Sequence, residues 1–83
     1  DTRLATTREN VHAARAALDK IIHRVELERR RFEMVQGRYR VGSSSESEFL
    51  DAQDDLTAAE LDRSAAAVRL RLAEAEYLNA AGR

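Results

Sequence analysis

The residues with chemical potential in this chain gather in three places. Ser43, Ser44, Ser45 and Ser47 form a hydroxyl cluster, interleaved with or followed by Glu46, Glu48, Asp51, Asp54 and Asp55. A serine nucleophile needs a base within hydrogen-bond reach, and the run from Ser43 to Ser47 has no His or Lys near it in sequence. Asp51 and Asp55 stand at i, i+4, a spacing that lets two carboxylates share a cation. The glycine-containing twelve-residue calcium loop, however, is absent. His12 and His23 share a helix face but lie about 16 Å apart along its axis, too far to chelate one metal within one chain. The third place is basic. Arg24, Arg31 and Arg38 recur at seven-residue spacing, with Arg29 and Arg30 beside them. Such a stripe can track a phosphate backbone, as a tRNA-binding coiled-coil arm does. It equally fits a solvated coiled-coil flank paired with acids such as Glu26, four residues before Arg30. No aromatic residue interleaves the stripe, and no glycine-rich phosphate loop occurs. With no Cys in the chain, a thiol nucleophile, a Cys-based zinc site and a disulfide scaffold are excluded. The inventory implies no enzyme, no cofactor and no metal, and nucleic acid is not expected as a partner.

The elements that carry these residues are helices. The chain has 83 residues, 35% of them charged, with no Pro and only three Gly, which argues against a many-turned β fold. Ala, Leu, Arg and Glu dominate, as in long helices. No apolar run approaches the roughly 20 residues of a membrane-spanning helix, and no signal-peptide pattern opens the chain. Charge is uneven along its length. Residues 1–42 carry ten basic and six acidic residues, and residues 43–83 carry four and nine. A basic half followed by an acidic half suits two segments that fold back on each other.

Leu4, Val11, Leu18, Val25, Phe32 and Tyr39 are each seven residues apart, and Thr7, Ala14, Ile21, Glu28 and Val35 follow three residues behind. This a/d pattern predicts a coiled-coil helix over about 2–40. It stops at Val41-Gly42-Ser43-Ser44-Ser45, the only cluster of turn residues. Gly42 can take the positive φ that ends a helix. Ser45 and Glu48 then read as a capping box, opening a second helix over about 46–81 with Gly82 as its stop. Its heptad is Phe49, Leu56, Arg63, Leu70 and Tyr77, each followed three residues later by an alanine: Ala52, Ala59, Ala66, Ala73 and Ala80. Alanine at each of these positions permits close helix approach. Leu61, Val68 and Ala75, with Ala58, Ala65 and Leu72 beside them, form a second apolar seam that one hairpin partner does not cover. The two heptads mirror each other about Ser44: Tyr39 and Phe49 are five residues either side, Phe32 and Leu56 twelve, Val25 and Arg63 nineteen. The fold class expected is all-α, a long antiparallel two-helix coiled-coil hairpin.

Tyr39-Arg40-Val41-Gly42-Ser43-Ser44-Ser45, followed by Glu48-Phe49-Leu50-Asp51-Ala52-Gln53, resembles the tip signature of the TolC family of outer-membrane efflux channels. Ala59, Ala66, Tyr77-Leu78 and Ala80-Ala81-Gly82 are similar to the family's later pattern. The strong part of the likeness covers about residues 39–82, and the first helix agrees by heptad and length. The resemblance implies a fragment: one periplasmic hairpin of a trimeric channel with an outer-membrane β-barrel and a periplasmic α-barrel. The channel would serve efflux, including multidrug resistance, or type I secretion. Each family chain holds two such hairpins, and the wording here looks more like the second. An α-barrel gives every helix neighbours on both sides, which accounts for the doubled seam.

By the same resemblance, Tyr39 falls where the family's gating tyrosine lies, and Glu48 and Asp51 where acids ring the pore entrance. Repeated around a symmetry axis, such acids gather like charge at a narrow mouth. The apex from Val41 to Ser45 would meet the hairpin tips of a periplasmic adaptor, with an inner-membrane pump as an indirect partner. One departure stands out: Ser44 occupies the place of a basic partner in the family's closing network, a role Arg38 or Arg40 is placed to take over. Each residue also has a plainer role. Glu48 suits a helix cap, Asp51 a helix dipole, Tyr39 the last core position of its heptad, and Val41 to Ser43 an ordinary turn. An efflux adaptor's own hairpin shares the length and heptads and is the other coiled-coil alternative.

Overall fold

The computed structural model describes residues 1–82. Two α-helices make up the fold: α1, Thr2–Arg40, and α2, Glu46–Gly82. They pack antiparallel as an extended hairpin measuring 61 × 13 × 13 Å. Its length follows from 39 helical residues in α1 at about 1.5 Å each.

Local chemistry sets each helix end. Asp1 caps α1: its carboxylate accepts from the Arg3 amide at 3.1 Å, and its carbonyl accepts from the Ala5 amide. At the other end Gly42 takes φ +80°. The Gly42 amide donates to the Tyr39 carbonyl at 3.1 Å and the Ser43 amide to the Arg38 carbonyl at 2.8 Å. These two bonds constitute a Schellman motif, which closes off carbonyls the helix would leave open. Ser45 and Glu48 form the expected capping box. The Glu48 amide donates to Ser45 Oγ at 3.1 Å, and the Ser45 amide donates to Glu48 Oε1 at 3.3 Å. Gly82, anticipated as the stop just after α2, is instead its last helical residue.

The heptads face each other. Every a/d position from Leu4 to Val35 in α1 and from Phe49 to Ala80 in α2 is at least partly buried. Among the described residues, the six buried ones are all on these seams: Val25, Val35, Ala52, Ala59, Ala66 and Ala73. The division of labour is unequal. Larger side chains come mostly from α1, and α2 supplies a groove of alanines that lets them sit close to its backbone. Glu28 and Arg63 interrupt the apolar seams. Both remain half-buried, and Glu28 accepts a 3.3 Å bond from Arg31.

Charged side chains on both flanks hold the register. Arg15 pairs with Glu74 at 3.2 Å and Arg29 with Glu60 at 2.8 Å on one flank. Arg24 pairs with Asp62 at 2.8 Å and Arg31 with Asp55 at 2.6 Å on the other. The first two pairs are two heptads apart on both helices, and the last two are one heptad apart. These are the e–e′ and g–g′ positions of an antiparallel coiled coil, whose charges select alignment. Pairs this exposed add little stability, so their value lies in excluding slipped registers.

Candidate functional site

The tip brings together most of the residues singled out in the sequence. Tyr39, at the end of α1, stacks on Phe49 with ring centroids 4.8 Å apart and planes 8° apart. Phe49 in turn meets Phe32 at 5.5 Å and 33°. The three rings form a short ladder between the helices just below the turn. Offset aromatic pairs add roughly 0.5–1.5 kcal/mol beyond the area they bury. Tyr39 therefore does structural work within the hairpin, while 38% of it stays open to solvent.

Glu48 and Asp51 differ in their surroundings. The Glu48 carboxylate is held by the capping box and also receives the Ser45 hydroxyl at 3.4 Å. The g–g′ series that joins Arg24 to Asp62 and Arg31 to Asp55 would next join Arg38 to Glu48. That ion pair is not made, because the cap claims the carboxylate. Asp51 is exposed and has no hydrogen bond or ion pair among the described residues. It lies one turn from Asp54 and Asp55, and the carboxylate of Asp55 goes to Arg31.

At the apex, Val41 is 76% exposed and Gly42 has open space where a Cβ would stand. Ser43 is exposed, while Ser44 is half-buried and its hydroxyl donates to the Ser45 carbonyl at 3.4 Å. Arg38 and Arg40 sit in the last turn of α1, where a cation complements the helix dipole. Neither makes an ion pair among the described residues. The tip thus offers the exposed apolar side chains of Val41 and Leu50, hydroxyls, unpaired arginines and, among the described residues, the unpaired carboxylates of Glu46 and Asp51 within two turns.

The arginine stripe is largely spent inside the hairpin. Arg24 and Arg31 each meet an acid of α2, and Arg30 approaches Glu26 at 4.0 Å. The hydrogen bonds that Arg31 donates to Asp55 and then to Glu28 raise its pKa above the ordinary value. A phosphate backbone would have to displace these carboxylates to reach the stripe. Counting residues out from Ser44 matches Arg15 with Glu74 and Arg29 with Glu60 to within one residue, so the sequence contained the signal for specific pairs. Among the described residues, no three His, Cys, Asp or Glu side chains converge on a possible metal position. Among the same residues, no helix is long and apolar enough to cross a membrane.

The alanine seam is split by depth. Ala52 and Ala59 have no exposed surface, Ala66 and Ala73 are buried, and Ala80 near the open end is half-buried. The second seam of α2 is uncovered. Leu61 is 66% exposed, Val68 56% and Leu72 60%.

The architecture defines an extended antiparallel helical hairpin of coiled-coil type. In comparison with known proteins, no family model, no curated protein and no solved structure matches the chain.

Proposed function

We propose that this hairpin is a wall segment of the periplasmic α-barrel of a trimeric, TolC-like outer-membrane channel for efflux or type I secretion. The reading is carried by one observation: the tip run from Tyr39 to Gly42 and the run from Glu48 to Gln53 that re-enters the helix below it. The uncovered second seam of α2 supports it, since a helix in a closed wall needs an apolar face toward each neighbour.

The mechanism is passive. Long helices side by side enclose a conduit, and the tip residues set the width and charge of its mouth. Glu48 and Asp51, repeated by symmetry, would concentrate negative charge there and favour cations. Arg38 and Arg40 would supply the positive partners that Ser44 does not. Val41, Gly42 and Ser43 would form the apex that touches an adaptor's hairpin tips. An inner-membrane pump would provide the energy, and no cofactor enters.

The test is the sequence flanking this segment. Amphipathic β-strand stretches of about ten residues should lie there, with a second hairpin of similar heptads. A parent sequence without them refutes the channel reading. Where they are present, replacing Glu48 and Asp51 by Ala should reduce the cation sensitivity of single-channel conductance; an unchanged current would leave both as helix-end residues.

A further inference from the structure

One carboxylate at the tip has two claimants. The g-position pairs of the hairpin repeat with a fixed step: seven residues forward on α1 and seven back on α2 take Arg24–Asp62 to Arg31–Asp55. The same step leads next to Arg38 and Glu48. The register of the whole hairpin therefore sets these two opposite each other, one heptad nearer the turn. Glu48 is nevertheless turned back onto Ser45. Its Oε1 accepts from the Ser45 amide at 3.3 Å and from the Ser45 hydroxyl at 3.4 Å. Both bonds are longer than the usual range, although a charged acceptor ordinarily shortens them. Arg38 is exposed and makes no ion pair among the described residues. The next acid along the flank, Asp55, is held by Arg31 at 2.6 Å.

Moving Glu48 from one claimant to the other costs little. The Glu48 amide donates to Ser45 Oγ at 3.1 Å. That bond does not involve the carboxylate, so α2 keeps its N-cap wherever the carboxylate goes. Ser45 is exposed, and its amide falls back on water. The move gives up the returning half of the capping box and gains an exposed ion pair. An exposed pair shifts a balance by up to about fivefold, and a single capping contact by a factor of about the same order. The two arrangements are therefore close in free energy.

We propose that Glu48 is a two-position switch at the tip, exchanging between the Ser45 cap and an ion pair with Arg38. In the first position it lies within α2 and leaves Arg38 free. In the second it ties the last turn of α1 to the first turn of α2 and frees the amide and hydroxyl donors of Ser45. The apex thus presents either a cation or two neutral donors, and an anion bound at Arg38 holds Glu48 in the cap by population shift. None of this rests on the channel reading, since every group involved belongs to one hairpin.

A double-mutant cycle on Arg38→Gln and Glu48→Gln, read from urea unfolding at low salt in two backgrounds, tests the exchange. With Ser45 present the carboxylate is shared, and the coupling should change the unfolding equilibrium constant by less than about twofold. In Ser45→Ala, which removes the hydroxyl and weakens the cap, the coupling should rise to roughly twofold to fivefold. It should vanish in about 1 M salt. Coupling that is absent in both backgrounds, or equally large in both, overturns the proposal. Amide exchange supplies a second reading that leaves Ser45 in place. With Arg38→Gln alone, the Ser45 amide should exchange with D2O about twofold or more slowly than in the parent, because Glu48 no longer leaves the cap. Exchange that is unchanged or faster also overturns the proposal.

Discussion

Gly37 and Gly42 lie five residues apart, and the same substitution at each should change stability in opposite directions. Gly37 is inside α1, and a Cβ there meets nothing within 4 Å. Ala adds no contact and no clash at that site, so Gly37→Ala should stabilise by the helix-propensity difference, about 0.8–1 kcal/mol. Gly42 also has open space, but its φ is +80°. Gly42→Ala therefore costs only backbone energy, about 1–2 kcal/mol for an L-residue held left-handed. For a domain of this size 1 kcal/mol shifts the melting midpoint by roughly 4–8 °C. The pair of variants should thus melt on opposite sides of the parent, separated by roughly 7–24 °C. Circular dichroism at the helical band follows both, at a chain concentration where the sedimentation mass is constant. Should Gly42→Ala match or exceed the parent, the left-handed turn is not what ends α1, and the Schellman closure assigned here fails. A neutral Gly37→Ala would show that this stretch of α1 is not helical in solution.

Further outcomes follow from neighbouring features. Ser45→Ala should cost about 1 kcal/mol by removing the cap on α2, whereas Glu48→Gln should be milder because Gln also completes a capping box; urea midpoints separate the two. Ala59→Leu, at a position with no exposed surface, should destabilise by roughly 1–3 kcal/mol through overpacking. Ala58→Leu, one residue away and exposed, should stay within about 0.5 kcal/mol in the same denaturation series. A double-mutant cycle on Arg24 and Asp62 should show favourable coupling that shrinks as salt is added; coupling that ignores salt would mean the pair is not the exposed contact seen here. A titration of tRNA against salt should show no tight, steeply salt-dependent binding, given how many stripe arginines are already paired.

Much of the fold is legible in the sequence because a heptad is a strong signal repeated many times. The mirror arithmetic about Ser44 works since one short turn fixes the register of everything beyond it. The capping box is equally readable, its two residues being three apart and mutually satisfying. The aromatic ladder was hidden: Tyr39 and Phe49 were aligned by counting, but Phe32 reaching Phe49 depends on side-chain direction between layers. The diversion of Glu48 from Arg38 was also hidden, because heptad position and capping pattern each assign that carboxylate a different partner. At the tip, local geometry decides between them. Asp51 remained ambiguous for a related reason. One exposed acid near a helix start satisfies the dipole and a pore mouth equally well, and its meaning depends on what surrounds the hairpin.

The proportions of the hairpin carry a mechanical consequence. A body 61 Å long and 13 Å wide, bound together by alanines on one helix and bulkier side chains on the other, behaves as a lever. A tilt of about 5° at the open end displaces the turn by about 5 Å, the kind of amplification that packed elements can transmit without deforming. The rings of Tyr39, Phe49 and Phe32 stiffen the far end of that lever, where flexing would otherwise absorb the stroke. Whatever grips the residues near Leu4 and Ala80 therefore commands the position of Val41 and Gly42, without touching them.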